Sequence, residues 1–448
     1  MIKIMSLIAS WVNQLSCFKG HLVMPLVLLL TLVGGNKSLA TTLEDALPEA
    51  IINSPKIQSA RLKLNITRES LNQILSNYLP TVLIDLSSGR ERDSAKTTEA
   101  GARQAEITNA KTAKITMSVN LYRGGKTEIE TEEANNKIRA DEASLKGQIQ
   151  SFILEAATAF SVHYKNIKSR ELNRSNKAVL KALLVAAKAR SKYGEISETD
   201  VFQAKARYAD AVAKEIKSEG ELLISKVNFK SIFTIDAKGL LPASPLKIEY
   251  TDLDELLNIA TTSNFKLINQ RELLKAARNN VRNLKRDLLP TVDFNADYTR
   301  GLEVSNQFSD SRSAKFIVSL SMPLYRAGNT YLKIRQARIS AEKLLADYDQ
   351  SLLDVKKELM QAWFNYKSLH SQIVALEEAA LTSKNALVSI KKEVDVGSRA
   401  FIEVLDAEQE LLVSNASVLG AKNDLLATTY KIKEITGQLI PRNFVHTN

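Results

Sequence analysis

Four histidines, one cysteine and a few charged residues beside two glycine turns are the chemically capable groups of this 448-residue chain. His21, His163, His370 and His446 are scattered, and no two have the spacing that holds a metal. With Cys17 alone, a disulfide framework is excluded. Gly124-Gly125-Lys126-Thr127 is too short for a phosphate-cradling loop and lacks its first glycine. Neither catalysis nor a cofactor or metal is indicated, and His163 and His370 read as ordinary polar positions on helices. The remaining chemistry is electrostatic. Arg399 follows Gly397 at the start of a returning helix, where a cation opposes the macrodipole. Its place four residues before Glu403 is also the weaker order for an intrahelical pair. A residue set against local preference points to a partner on another helix. Asp200, Glu403 and Asp406 lie where acids are favourable anyway, and Ser197-x-x-Asp200 reads as a capping box with Asp in place of Glu. Facing a constriction, the same acids would select cations. Both readings of the acids stand at this point.

These residues hang on an unusual frame. Hydrophobic residues make up 44% and charged residues 25%, which excludes a disordered or collagen-like chain. Lys3 and Lys19, the apolar run Met24–Val33 and Ser38-Leu39-Ala40 form the pattern of a secretory signal peptide cleaved after Ala40. Past residue 40 no apolar run reaches the ~18 residues of a spanning helix. Removal of 1–40 takes three lysines and no acid, leaving a charge of +8, read as solvated helix faces rather than a nucleic-acid surface.

The chain repeats itself. Asn77-Tyr78-Leu79-Pro80-Thr81-Val82 returns as Asp287-Leu288-Leu289-Pro290-Thr291-Val292, and Leu121-Tyr122-Arg123-Gly124-Gly125 as Leu324-Tyr325-Arg326-Ala327-Gly328. The second pair is offset by 203, which also maps Gly194 onto Gly397 and Val201 onto Val404. The expected domains are a signal peptide (1–40), a first repeat (41–233), an extended linker holding Pro242 and Pro245 (234–250), a second repeat (251–437) and a tail (438–448).

In each repeat, helices end before the Leu-Pro, two short alternating stretches follow, and then two long helices joined at Gly194 or Gly397. Asn329–Val396 has neither Gly nor Pro, and its stripe Leu352, Val355, Leu359, Ala362, Tyr366, Leu369 keeps a 3.5-residue period. That period means coiled-coil packing. Lys126–Tyr193 matches it, interrupted by Gly147, but its stripe blurs at 163–177. Ile115, Met117, Val119 and Leu121 alternate with polar residues, as do Val82, Ile84, Leu86, then Val292, Phe294, Ala296, Tyr298, then Phe316, Val318, Leu320, Met322. Such strands have one wet and one dry face. The expected hairpin loops lie near 88–110 and 300–314. With the helices committed to each other, lipid is left to cover the dry face. Four strands cannot close a barrel, and open edges are forbidden in hydrocarbon. Several chains must therefore share one.

The duplicated Leu-Pro/strand/strand/Leu-Tyr-Arg-Gly unit, with Val396-Gly397-Ser398-Arg399 before Glu403-Val404-Leu405-Asp406-Ala407, resembles the TolC family of outer-membrane export channels across 41–440. The resemblance implies a mainly α fold with a small β part. Antiparallel coiled-coil helices would form a periplasmic tunnel, and four strands per chain would join a twelve-stranded barrel in a homotrimer. It implies an exit duct of the Gram-negative outer membrane, set in lipid, serving a periplasmic adaptor and an inner-membrane transporter, ABC or proton-driven. The cargo would be drugs or a type I secreted protein. It places a periplasmic gate at Arg399, Glu403 and Asp406 on the second repeat and Thr199 and Asp200 on the first. The family's usual gate tyrosine is Val394 here, and one usual Asp is Glu403. Gly124, Gly125, Pro323 and Gly328 would bend the chain between barrel and tunnel. Two other classes compete: a periplasmic adaptor, which normally has one helical hairpin rather than two, and a structural coiled-coil protein, which leaves the strands unexplained.

Overall fold

The structure, a computed structural model, describes residues 42–93, 106–234, 239–250, 252–302, 304 and 310–439. The expected leader, most of the tail and parts of both hairpin loops and the linker lie outside these residues. Helices α1 (Leu43–Asn53) and α2 (Pro55–Leu75) open the first repeat. Strands β1 (Thr81–Ser88), β2 (Glu91–Asp93), β3 (Glu106–Thr108) and β4 (Lys111–Tyr122) follow. The long pair is α3 (Lys126–Lys192) and α4 (Glu198–Phe233). The second repeat has α5 (Leu253–Ser263), α6 (Phe265–Lys285), β5 (Thr291–Leu302), β6 (Asp310–Ser321), α7 (Asn329–Asp395) and α8 (Phe401–Ile435).

Both α3 and α7 run 67 residues, about 100 Å at 1.5 Å per residue. No helix among the described residues is long and apolar enough to cross a membrane. Helix α3 packs along α4, α6 and α8, and α7 along α8 and α6. Gly147 does not break α3. A Cβ there would lie 3.5 Å from the Phe265 Cβ, so the glycine admits α6 at close range. The linker is not a free strap: Leu240, Ala243 and Leu246 pack on a core from α1, α3, α4 and α8, and Leu246 N–H donates to Thr429 Oγ1 at 3.1 Å.

The blur at 163–177 has a physical cause. His163 and Asn166 face inward with hydrogen bonds rather than outward into water. Ser225 Oγ donates its one proton to the Leu222 carbonyl at 2.9 Å, so it must accept from His163 Nδ1–H at 2.8 Å. Asn166 Nδ2 donates to the Glu221 carbonyl at 3.1 Å. The ordinary polar position expected for His163 is thus corrected to a core one, 3% exposed against Phe229. Burial first, and Lys226 second, push its pKa down.

The long strands form one antiparallel sheet in the order β1-β4-β5-β6. Inside the loop expected near 88–110, β2 and β3 carry the β1/β4 register onward without a shift. All four long strands join the helices at one end, so the loops lie at the other.

Candidate functional site

Two places combine the sequence-predicted residues: the tips of the long helix pairs and the faces of the sheet. At the tips the two turns are alike. Gly194 and Gly397 both have φ of +78°, a left-handed conformation that suits glycine. Glu195 N–H donates to the Arg190 carbonyl, and Ser398 N–H to that of Glu393. Beneath lies a core of Leu180, Leu184, Ala187, Ala204, Leu387, Val394 and Leu405. Val394, where the resemblance implies a tyrosine, is sealed in this core and supplies no hydroxyl.

The charged residues separate into three groups. Arg399 bridges its own turn, Nε to Glu393 Oε2 at 2.5 Å and Nη1 to Glu403 Oε2 at 2.6 Å. Its partners are therefore the preceding helix and the weaker-order i+4 acid together. The Glu403 hydrogen bond and the Glu393 charge raise its pKa further, so it stays a cation. Asp406 reaches across the repeats to Arg207 Nη2 at 2.7 Å. Asp200 does local work: Ser197 N–H donates to Asp200 Oδ2 at 3.1 Å, and Asp200 N–H to Ser197 Oγ at 3.2 Å, completing the capping box. Thr199 is exposed.

Sequence reasoning missed the other ends of these links. Arg190 Nη2 meets Asp395 Oδ1 at 3.0 Å and stacks 5.9 Å over Phe401, and Lys391 Nζ meets the buried Glu408 at 2.5 Å. A signal was available. At the 203 offset Arg190 answers to Glu393 and Lys192 to Asp395, so the two tips carry opposite charges at equivalent positions. The Arg190–Asp395 and Arg207–Asp406 pairs are solvent-exposed and contribute about 0–1 kcal/mol each.

At the strand-to-helix junctions, Gly124, Gly125 and Gly328 have φ of +66°, +71° and +75°, and Gly125 and Gly328 are the N-caps of α3 and α7. A Cβ at Gly124 would stand 3.0 Å from the Leu289 Cβ, so the two junctions approach through this glycine. Pro323 lies just past β6.

The sheet has two unlike faces. In register, Val82, Met117, Ala296 and Phe316 lie in one row, and Ile84, Ile115, Tyr298 and Ala314 in the next. The opposite face is largely polar, with Thr81, Ser118, Asn295 and Ile317 in one row and Leu83, Thr116, Asp297 and Lys315 in the next. Polar neighbours there are joined: Ser118 Oγ donates to Asn295 Oδ1 at 2.8 Å, and Lys114 Nζ meets Asp297 at 3.2 Å. On the apolar face Val82, Leu86, Phe316 and Leu320 are 64–77% exposed. A register shift sets both Leu121 and Tyr122 opposite Val292, a bulge at the helix end. Among the described residues no group of His, Cys, Asp and Glu could hold a metal ion.

Comparison with known proteins agrees with this architecture. The chain is 23% identical over 410 residues to the outer membrane efflux protein BepC of Brucella suis, covering 91% of this chain and 88% of that protein. It is 22% identical to the outer membrane protein TolC of Vibrio cholerae, over 91% and 93% of the two chains. The solved outer-membrane channel OprN superposes with a TM-score of 0.77 at 19% identity, over 88% and 90% of the two chains. The model of the outer membrane efflux protein family matches twice, over residues 46–233 and 256–438. The chain belongs to the outer membrane efflux protein family, the export channels of the Gram-negative outer membrane.

Proposed function

We propose that three copies of this chain close one twelve-stranded barrel and one helical tunnel, forming a passive exit duct that does no chemistry itself. One observation carries the reading: a four-stranded sheet, apolar on one face and largely polar and hydrogen-bonded on the other, with β1 and β6 left as open edges. Hydrocarbon offers no partner to an open edge, and barrels start at about eight strands. Copies of the same sheet supply the missing strands.

The duct opens at the helix tips. Arg190–Asp395 and Arg207–Asp406 tie the first repeat to the second, and Arg399 stiffens the second turn. A periplasmic adaptor and an inner-membrane transporter, ABC or proton-driven, would pull these weak links apart. Drug efflux and type I protein secretion are both compatible with such a duct. The adaptor reading finds no support in the family match.

The test is the oligomeric state of the purified full chain in detergent, with conductance in planar bilayers. A trimer with discrete conductance is expected. A stable single subunit in plain buffer overturns the reading. A strain lacking the gene, assayed for drug sensitivity and for missing extracellular proteins, distinguishes the cargo classes.

A further inference from the structure

We propose that the outward face of the sheet ends, at its rim away from the helices, in a binding site for phosphate-bearing lipid of the outer leaflet, formed by Lys111, Arg300 and Arg312. The inference rests on the reading that the apolar face meets lipid. From the helices outward, that face is uncharged through four rows, ending with Ile84, Ile115, Tyr298 and Ala314. The next row is Leu86, Ala113, Arg300 and Arg312, and the one after it Ser88, Lys111, Leu302 and Asp310. Cations therefore arrive abruptly, and on the outward parity.

Height agrees with headgroups. Arg312 lies eight residues along β6 from Leu320, roughly 27 Å of strand at 3.4 Å per residue. At a tilt of about 40° this is close to 20 Å along the membrane normal, near the top of an apolar band ~25 Å tall.

Charge points to an anion. Arg300 and Arg312 are directly opposite each other on neighbouring strands, a like-charged pairing that is unfavourable without a counter-ion between. Among the described residues Asp310 is their one acidic contact, at 3.5 and 3.4 Å. With Lys111, three cations face one acid among the described residues, and the side chains of Arg300 and Arg312 are 49% and 62% exposed. Two arginine forks side by side match phosphate oxygens bidentately. On the inward face at the same level Lys114 is already paired with Asp297, so the unbalanced charge belongs to the lipid side.

The experiment uses the purified full chain in detergent, with lipid A carrying both phosphates and the same lipid with its phosphates removed, binding being read by native mass spectrometry. The wild type is expected to bind the phosphorylated lipid at least tenfold more tightly than the dephosphorylated one. R300Q/R312Q is expected to lose that preference, and K114Q on the inward face to keep it. If the double variant does not assemble, R312Q alone should weaken binding several-fold. Equal binding of the two lipids by the wild type, undiminished binding by R300Q/R312Q or R312Q, or full displacement by millimolar inorganic phosphate overturns the proposal. Conductance in phosphate-free bilayers is measured alongside. Its loss in the wild type would count against the channel reading instead.

Discussion

At the same height in the two repeats, offset by 203 residues, the first buries Phe160, His163, Asn166 and Phe229 where the second has Trp363, Tyr366, Leu369 and Ile432. One backbone plan is thus sealed in two ways. The second repeat excludes water with apolar surface. In the first, part of the seal is made of hydrogen bonds, His163 to Ser225 and Asn166 to the Glu221 carbonyl. Buried polar groups cost little when their partners are met and much when they are not. The first repeat is therefore more specific in geometry and more sensitive to pH. The tips repeat the lesson. The first is closed by a local cap at Ser197 and Asp200, the second by ion pairs around Arg399.

The largest effects are expected in the two cores. Phe229→Ala and Trp363→Ala should each cost about 3–5 kcal/mol, read as a lower melting temperature of the detergent-purified protein. A near-neutral result in either would show that its repeat is not sealed by that ring. Next, His163→Leu should cost about 1–3 kcal/mol by leaving Ser225 without its donor.

The same site predicts a pH effect of definite sign. The folded pKa lies below the ordinary value, so the unfolded chain takes up the proton first as pH falls below ~6.5. The stability from neutral His163 is present above that pH and is lost on acidification. Melting curves of the wild type should fall in mild acid more steeply than those of His163→Leu. Parallel curves would remove His163 as the cause.

At the tips, Gly194→Ala and Gly397→Ala should each cost about 1–2 kcal/mol, since both glycines hold the same left-handed φ and a Cβ would meet nothing within 4 Å. Unequal losses would show that the turns are held differently. Ser197→Ala should cost about 1 kcal/mol, whereas the equivalent Ala400 keeps only the Glu403 half of a cap. Arg399→Ser should change stability least, with no resolvable shift in melting temperature, because both its ion pairs are exposed. If the proposed gate holds, it should nevertheless raise single-channel conductance, and unchanged conductance in a correctly assembled protein would take Arg399 out of that gate.

Several of these elements were legible beforehand. The expected long helices, 126–193 and 329–396, differ from the observed ones by a single terminal residue. The sheet follows the parity of Ile115, Met117 and Val119. The buried pair His163 and Asn166 was not legible, because a stripe search counts apolar residues and overlooks polar ones whose partners sit on another helix. Nor was the partner of Asp406, which lies 199 residues away in Arg207.

By itself the sequence determined the periods, 3.5 along the helices and 2 along the strands, and the doubling of both. Those are local properties, fixed by which residue follows which. Only the tertiary structure decided what meets what: Arg190 with Asp395, His163 with Ser225, and β4 beside β5, which draws Lys111, Arg300 and Arg312 to one rim. A period says which face avoids water. It does not say what covers that face, because contacts between distant segments depend on how helices and strands pack and not on their own spacing.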